Sequence, residues 1–481
     1  MAAHSFPTTP EISRTKMPRW TQPVSFYGMG VFGKYYASSI CVFLFLVPFL
    51  VMPAMGQGTA DDPCLAPFDA NKDYFPSKIS VVDAAFFKVR YEKNYKVVTN
   101  TDKNTTFVLT QCNTPVPDAS LFSNTTVFVT VPVKKAATSA VPYIELLGRR
   151  STLKVVDTEG MVSSPCVQLG LEKREIIGLE DTDLALRGTQ LQGVDVIFTS
   201  FGPNMDPATV NKTVITSESA DPGPLNRAEW LEFYSTFYNL EEAAQKMTGK
   251  INNNYNCFKS RALAEKTKPV IAWTSYDAPA SYNNNTASWS ISNAPYKRII
   301  SEDAGATFFN GTTKSKYTGA AEFAEAVKDV DVLIDETFTG ANLTQFLENY
   351  NLTEASTLKF IKNKAVFRED GLVNPTDGRD WLEAAVAMDD AVLQDIVRAV
   401  HPEIFPKTIS YNWIRNIAKN EPKQILTSGN CTVTDADTPI KSRAAECSSS
   451  STAGDRSGAI KIAGSVAMTA IFGLVAAAFS L

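Results

Sequence analysis

Runs of β-branched and aromatic residues recur along the chain and predict short strands. Near its beginning, FFKVRYEKNYKVVTN (86–100) and TTFVLTQ (105–111) are separated by the polar turn TDKN. Such runs, bounded by turn residues, are typical of extended strands. A further strand is predicted at NTTVFVTVPV (124–133), followed by the small-residue loop KKAATSAVP (134–142) and a short helix. The first part of the chain therefore predicts an extended, β-rich segment that leads into mixed structure.

Farther along, buried-strand patterns alternate with amphipathic helical patterns. Strands are predicted at LKVVD (153–157), VDVIFTS (194–200), KPVIAWTSY (268–276) and DVLIDETF (331–338). Helical segments lie between them, and the last, at 380–405, reads DWLEAAVAMDDAVLQDIVRAVHPEIF. Strands that alternate with helices favour an α/β fold built on parallel sheets. The pattern occurs twice, which predicts two Rossmann-like lobes.

A long helical pattern separates the two α/β regions. Asn226 is a candidate N-cap and Glu229 follows three residues later, which is the signature of a helix start. Aromatic residues continue at helical spacing, and no helix breaker occurs before about Asn254. We therefore expect one unbroken connector helix. The predicted parts are a signal segment at 1–56, an N-terminal lobe with a β-rich extension at 57–225 and a connector at 226–258. They are followed by a C-terminal lobe at 259–430, a linker at 431–461 and an apolar tail at 462–481.

Both ends of the chain carry targeting patterns. An apolar stretch at 38–55 follows Lys34 and ends in small residues, which predicts a secretory signal cleaved before Gln57. The segment that begins at Met29 has the same pattern by itself, so translation from Met29 is an alternative. Small residues, a polar spacer and an apolar tail at the other end predict a GPI anchor attached within 449–453. A single membrane span is the alternative, and both place the protein on the extracellular face of the plasma membrane.

Cysteines and glycosylation sequons agree with the secretory pathway. The predicted mature chain holds an even number of cysteines, as expected of disulfides formed in an oxidising compartment, although spacing alone assigns no pairing. They are Cys64, Cys112, Cys166, Cys257, Cys431 and Cys447. Sequons for N-glycosylation are spread along the chain, and we expect their asparagines at the surface. They are Asn104, Asn124, Asn211, Asn284, Asn310, Asn342, Asn351 and Asn430.

Composition and motifs argue against several functional classes. The 481 residues carry a net charge of −5 without a basic run, so we expect no nucleic-acid partner. His401 is the only histidine beyond the predicted signal, which removes most histidine-dependent hydrolase and metal sites. Phosphate-binding glycine loops are also missing from the sequence. We therefore expect no enzyme activity, no bound metal and no covalent cofactor.

Aromatic residues follow several of the predicted strands. Trp273 and Tyr276 lie at the end of one strand, and Trp381 opens the last helical segment. The loops at the carboxyl ends of strands form the ligand crevice in open α/β sheets. Aromatic side chains in that position suit a large, partly apolar ligand. Each residue taken singly could equally be part of a core.

The order of these segments resembles the periplasmic substrate-binding proteins that serve bacterial transporters of cobalamin, siderophores and haem. VPYIELLGRRSTLKVVD, QGVDVIFTS, AEWLEFYSTFYNLEEAAQKMTGKI, NKAVFRED and VLQDIVRAVHPEIF are similar to segments of that family. The resemblance covers about 125–415, whereas 64–120 has no obvious bacterial counterpart. A tethered, glycosylated protein of this type is most similar to the algal cobalamin acquisition proteins.

This resemblance implies a ligand held between the lobes by loops that follow the strands. The first lobe would supply Lys134, Ser163, Ser164 and Phe201, and the second Trp273, Ser275, Tyr276, Arg379, Trp381 and Glu383. Trp381 would stack on a flat macrocycle while Arg379 and Glu383 bind its polar edges. Cobalamin is the implied ligand, and an unidentified transporter or endocytic receptor would complete its uptake. A siderophore or haem receptor, or a surface glycoprotein without a small ligand, are the alternatives.

Overall fold

The computed structural model describes residues 64, 67–156, 159–180, 182–200, 209–311, 314–340, 342–406 and 409–447. All of them belong to one compact unit, Asp61–Leu481. The predicted signal, the anchor-attachment region and the apolar tail lie outside the described residues. Within these ranges, no helix is both long and apolar enough to cross a bilayer.

A four-stranded sheet forms the beginning of the described chain. Its first three strands are an antiparallel meander, and the fourth runs parallel to the third. The strands are β1 (Phe87–Tyr91), β2 (Tyr95–Asn100), β3 (Thr105–Gln111) and β4 (Val127–Val131). Phe87 and Phe107 point from one face into a core shared with Trp230 and Phe233. The predicted β-rich extension is confirmed, and it includes the strand at 127–131.

The first lobe is built on a five-stranded parallel sheet with the order β7-β6-β5-β8-β9. Its strands are β5 (Ala136–Thr138), β6 (Leu153–Val156), β7 (Ile177–Gly178), β8 (Val196–Thr199) and β9 (Thr213–Ile215). Its helices are α1 (Val141–Leu146), α2 (Pro165–Glu172) and α3 (Leu184–Gln192). The central strand β5 was predicted as a loop. The small residues of this segment suggested a loop, but it forms a short strand that is buried between β6 and β8.

The connector between the lobes is not one helix, so this prediction was wrong. It consists of α4 (Pro224–Ala228), α5 (Trp230–Ser235) and α6 (Glu241–Ala264). The chain turns before α6, where Asn239 adopts a left-handed φ of 55°. The Asn239 side chain accepts a hydrogen bond from the buried Lys96 and donates one to Gln111. Contacts with the N-terminal sheet therefore stabilise a break that helical periodicity does not reveal.

The second lobe has a mixed sheet, in which β10, β12, β14 and β15 run parallel while β11, β13 and β17 run antiparallel to their neighbours. Its strands are β10 (Val270–Asp277), β11 (Ser288–Ile291), β12 (Thr307–Phe308), β13 (Lys316–Tyr317), β14 (Val332–Asp335), β15 (Val366–Arg368), β16 (Leu372–Val373), β17 (Arg415–Asn416) and β18 (Gln424–Ile425); β16 and β18 form a separate parallel pair. Its helices are α7 (Pro295–Asp303), α8 (Ala320–Ala326), α9 (Leu343–Asn349), α10 (Lys359–Lys362), α11 (Asp380–Ala384) and α12 (Asp389–Val400). The predicted closing helix is thus split into α11 and α12. The expected α/β fold with two lobes is confirmed.

The segment 431–447 crosses back over both lobes instead of leaving the body as a linker. Ile440 N donates to Glu145 O in the first lobe at 3.0 Å, and Arg443 pairs with Asp380 in the second. Disulfides join Cys166 to Cys431 and Cys257 to Cys447, while the third bridge joins Cys64 to Cys112. The predicted linker boundary at 431 is therefore wrong, because this segment is fixed by two bridges. We call residues 431–447 the C-terminal strap.

The asparagines of the predicted sequons all lie at the protein surface. All eight are exposed, and they lie on the N-terminal sheet, on both lobes and beside the start of the C-terminal strap. The Asn342 side-chain oxygen accepts a hydrogen bond from Gln345 N at the start of α9. Surface exposure is the physical requirement that these positions meet.

Candidate ligand-binding cleft

A cleft lies where the carboxyl ends of the first-lobe strands meet the second lobe. The strand order reverses between β5 and β8, and open α/β sheets bind ligands outside such a switch point. Residues that follow four strands line the cleft here: Ser139, Ala140 and Val141 after β5, Met161 and Val162 after β6, Ser200 after β8, and Glu218 and Ser219 after β9. The parallel sheet thereby brings together side chains that are far apart in sequence.

The larger chamber of the cleft encloses about 370 Å³. Leu382, Glu383 and Val386, from α11 and the turn after it, form the wall contributed by the second lobe. Met161 and Leu382 are 41% and 52% exposed, although large apolar side chains gain free energy from burial. Their exposure into a chamber between the lobes gives it an apolar wall that a ligand could cover.

A smaller chamber of about 230 Å³ adjoins the larger one and shares Ser219, Leu382 and Val386 with it. Trp381 lines this chamber, as do Arg227, Tyr296 and Asp389. The Arg227 guanidinium lies over the Tyr296 ring at 3.7 Å from its centroid. Arg227 is the one basic side chain among the described residues that line either chamber.

Two carboxyl groups, of Glu218 and Glu383, line the larger chamber together with three serines. Glu218 is 4% exposed, and burial raises its pKa above the usual range. Its Oε2 makes no hydrogen bond of normal geometry, and the buried Thr216 and Tyr234 hydroxyls beside it make none either. Glu218 is thus a carboxyl group whose hydrogen-bonding capacity is incompletely used within the described chain.

Glu383, the second carboxyl group of this chamber, fastens the lobes to each other. Its Oε2 accepts hydrogen bonds from Ser163 N at 2.6 Å, from Ser164 N at 3.1 Å and from the Ser163 hydroxyl. The Ser163 hydroxyl also contacts Asp380 Oδ1 at 2.6 Å. Burial and then the neighbouring Asp380 raise the pKa of Glu383 to about 7. We call Ser163, Ser164, Asp380 and Glu383 the interlobe latch.

Trp381 lies above two further tryptophans. Its ring centroid is 6.0 Å from that of Trp273 and 6.2 Å from that of Trp413. Trp273 is fully buried, with its indole N–H donated to the Ser301 hydroxyl at 3.1 Å. The expectation that Trp273 faces a ligand is therefore wrong for this conformation: its ring supports Trp381, which lines the smaller chamber.

Arg379 also has a structural position instead of the expected ligand contact. It is 6% exposed, and its guanidinium contacts Glu369 at 3.1 Å and the carbonyl oxygens of Thr337 and Phe338 at 2.6 Å. These contacts hold the turn before α11. The basic residue that does line the cleft is Arg227, which the sequence analysis did not select.

Three further predicted site residues, Ser275, Tyr276 and Lys134, lie away from the two chambers. Tyr276 packs on Trp289 at 5.4 Å, and Ser275 pairs with Ser290 of β11, so both belong to the sheet of the second lobe. Lys134 is exposed and precedes β5, at the opposite end of the strand from the cleft. Its expected position was wrong because β5 itself was read as the loop. Phe201 lies outside the described residues.

Of the residues that line the two chambers, sequence reasoning selected only Trp381 and Glu383; those it missed include Met161, Glu218, Arg227 and Tyr296. Glu218 follows the three-residue strand β9, which is too short to give a periodic signal. Tyr296 follows Pro295 at the start of α7, where its spacing looks like that of any amphipathic helix. The loop SESADPGPLNR after β9 was the available signal, since it combines charges with turn residues. Among the described residues, no group of histidine, cysteine and acidic side chains is arranged to hold a metal ion.

Comparisons with known proteins give partial matches. No family model matches the chain. An uncharacterized lipoprotein of Methanocaldococcus jannaschii is 30% identical over 217 residues, which cover 43% of this chain and 47% of that protein. An uncharacterized protein of the same organism is 26% identical over 199 residues, or 40% of this chain and 54% of that protein. The chain thus spans about half the length of the curated relatives it matches.

Solved structures with a similar arrangement are periplasmic binding proteins. A periplasmic heme binding protein from Pseudomonas aeruginosa has 12% identity and a TM-score of 0.42, with 59% of this chain and 98% of that chain covered. A Helicobacter pylori protein with Ni(II) bound has 16% identity and a TM-score of 0.42, with coverages of 59% and 88%. A protein of an Fe3+-hydroxamate transport system from Saccharomonospora viridis has 13% identity and a TM-score of 0.41, with coverages of 56% and 94%.

Proposed function

We propose that this protein captures a small organic solute between its two lobes, outside the cell and tethered to the membrane. One observation carries the proposal: two adjoining chambers open at the switch point of the first-lobe sheet and are walled by the second lobe. Exposed apolar side chains, Trp381 and incompletely bonded carboxyl groups meet there. Apolar walls with a few convergent polar groups are typical of ligand sites.

Cobalamin is the ligand that we propose first. The chambers offer apolar area, carboxyl groups that can accept or donate hydrogen bonds, and a single basic side chain. A corrinoid presents many amide groups and one phosphodiester, which suits this set. Haem carries two carboxylates, and catecholate siderophores carry more negative charge, so both would meet repulsion from any ionised carboxyl group in a cleft whose described lining offers one cation, Arg227. A neutral or cationic ferric hydroxamate remains the second candidate because it avoids that repulsion.

The size of the cleft adds a condition to this proposal. A volume of about 370 Å³ in the larger chamber is near the lower end of the usual range for pockets that enclose drug-sized ligands. Cobalamin is larger than such ligands. It would therefore extend from the cleft, or the lobes would separate at the interlobe latch to admit it.

Tethering and uptake complete the proposed role. The apolar tail and small-residue segment predict the anchor, and one relative of similar sequence is named a lipoprotein. A protein that is held at the membrane by a lipid anchor must pass its ligand to another component for transport across the bilayer. We propose a transporter or an endocytic receptor as that partner.

The experiment is calorimetric titration of the mature protein with cobalamin, a ferric hydroxamate and haem, side by side. We expect one-to-one binding of cobalamin. Leu382→Glu should weaken it by about tenfold or more, because it places a charge in the apolar wall next to Glu383. The matched control is Leu184→Glu, since Leu184 is 74% exposed on α3 and lines neither chamber. Binding of none of the three ligands would refute the proposal.

A further inference from the structure

The guanidinium of Arg227 is fixed at the boundary between the lobes. Its Nε donates to Asp221 O at 3.0 Å and its Nη2 to Ser219 O at 2.5 Å. The flat face of the group lies against Tyr296 at 3.7 Å. Stacking and two carbonyl acceptors thus set the position of a planar cation whose remaining donors can be used by a ligand.

The two carbonyl acceptors are reached from Nε and Nη2, and among the described residues no carboxylate forms an ion pair with the Arg227 guanidinium. Asp389 is the acidic residue that lines the same small chamber. Asp389 is 3% exposed, and its Oδ2 has no hydrogen-bond partner. Burial raises the pKa of Asp389 well above its usual range, which favours the uncharged acid. In that form Asp389 holds a proton that it can donate to a ligand, and it does not neutralise Arg227, whose charge opposes the rise in this pKa.

The smaller chamber therefore combines a fixed cation, an acid that can donate a hydrogen bond, and the rings of Tyr296 and Trp381. We propose that it is a subsite for an anionic group of the ligand, a carboxylate or a phosphate, bound by Arg227 Nη1. The aromatic rings cover the apolar atoms that carry the anion. This inference rests on the proposed function, since it assigns a role within the same cleft.

The test uses small probes that share one ring and differ in charge: benzoate, phenyl phosphate, benzyl alcohol and benzylamine. Binding to the full mature protein is followed by NMR through the indole N–H signal of Trp381, assigned with Trp381→Phe. We expect the two anions to shift this signal and the alcohol and amine to leave it unchanged. The ratio of benzoate to phenyl phosphate affinity then distinguishes a carboxylate from a phosphate ligand.

Arg227→Gln should weaken anion binding by about tenfold or more, as expected for a charge-assisted hydrogen bond, and Arg227→Lys should retain part of it. Arg298→Gln is the matched control. Arg298 also stacks on a ring, Phe308 at 5.8 Å, but it lies on the exposed side of α7 and lines neither chamber. Thermal melting of each variant shows whether the fold is retained.

The outcomes separate this inference from the proposed function. Anion binding that is lost in Arg227→Gln supports the subsite even if cobalamin does not bind. Equal binding of all four probes, binding of none, or anion binding that survives in a folded Arg227→Gln variant would overturn it. Cobalamin titrated into the same samples reports on the proposed function separately.

Discussion

Glu383 provides a test of the interlobe latch through the pH dependence of stability. Its pKa rises from 4.5, the ordinary value, to about 7 in the folded protein, chiefly because of burial and next because of Asp380. A carboxyl group with a raised folded pKa favours folding when it is protonated. Its contribution is fully present below about pH 4.5 and is lost as the pH rises through about 7.

The size of this effect follows from the pKa difference. One pKa unit corresponds to about 1.4 kcal/mol, so the shift of Glu383 amounts to at most about 3 kcal/mol between acid and alkaline pH. Glu383 is only partly shielded from solvent, which reduces the expected value to about 1–2 kcal/mol. The substitution Glu383→Gln removes the titration while keeping the shape of the side chain.

Glutamine can retain the contacts of the latch. All described hydrogen bonds of Glu383 go to Oε2, so an amide oxygen in that position can still accept from Ser163 N and Ser164 N. We therefore expect Glu383→Gln to match the wild type near pH 5 and to exceed its free energy of unfolding by about 1–2 kcal/mol at pH 8. Urea unfolding at a series of pH values measures both curves.

The control is Glu242→Gln, on the exposed face of α6. Lys246 lowers the pKa of Glu242, so this substitution should not stabilise the protein at alkaline pH. A Glu383→Gln variant that is less stable than the wild type at pH 8, by an amount that grows with pH, would contradict the reasoning. That result would mean that Glu383 is ionised in the fold and stabilised by the two backbone N–H groups.

Two further predictions concern the connection of the parts. Lys96 Nζ is fully buried and contacts Glu241 Oε1 and Thr236 O, both at 2.6 Å. Lys96→Met should lower the free energy of unfolding by about 3–5 kcal/mol because it leaves a buried carboxylate unpaired. The added substitution Glu241→Gln should restore part of this loss. Additive losses in denaturant unfolding would show that the pair is not coupled. Replacing Cys166 and Cys431 by serine should lower stability by about 2–5 kcal/mol and speed hydrogen exchange in the loop 160–164, because the bridge joins α2 to the C-terminal strap. The matched control variant lacks the bridge between Cys257, on α6, and Cys447, in the C-terminal strap. Equal exchange in the loop 160–164 for both variants would argue against a specific restraint of the lobes by the first bridge.

Sequence patterns were sufficient where a segment is long and periodic. The β-rich extension, the strand at 270–277 and the helix that ends near Gly305 follow from such patterns, although the single run at 86–100 forms two strands, β1 and β2. Gly305 adopts a left-handed φ of 77°, and a side chain there would meet the carbonyl oxygen of Ala262, which explains why a glycine follows this helix. Local chemistry dictates these features, so they can be read without knowledge of the tertiary fold.

Short elements and tertiary contacts limited the rest. The strand Ala136–Thr138 has no β-branched run, and its identity depends on the two strands that enclose it. Asn239 breaks the connector because of partners that are far away in sequence, Lys96 and Gln111. Both features follow from packing between distant segments, which periodicity does not encode.

The candidate site shows the same division. Trp381, Glu383 and the two latch serines were selected from the sequence, and the structure brings them together at the cleft. However, Ser163 and Ser164 bind Glu383 and line neither chamber, and Trp273 lies beneath Trp381. Residue type therefore indicated which of these residues lie at the cleft. It did not indicate the partner of each side chain, because those partners depend on how the two lobes pack together.

The most direct measurement is hydrogen exchange of the full mature protein with and without cobalamin, read segment by segment. We predict slower exchange with ligand at 139–141, 161–164, 218–219 and 381–386, which contain the residues of the cleft wall and the interlobe latch. A groove of about 570 Å³ at the other end of the second-lobe sheet, whose lining includes Lys268, Lys364 and Lys419, should exchange at the same rate in both samples. Protection confined to that groove, or no protection at a saturating ligand concentration, would contradict capture between the lobes.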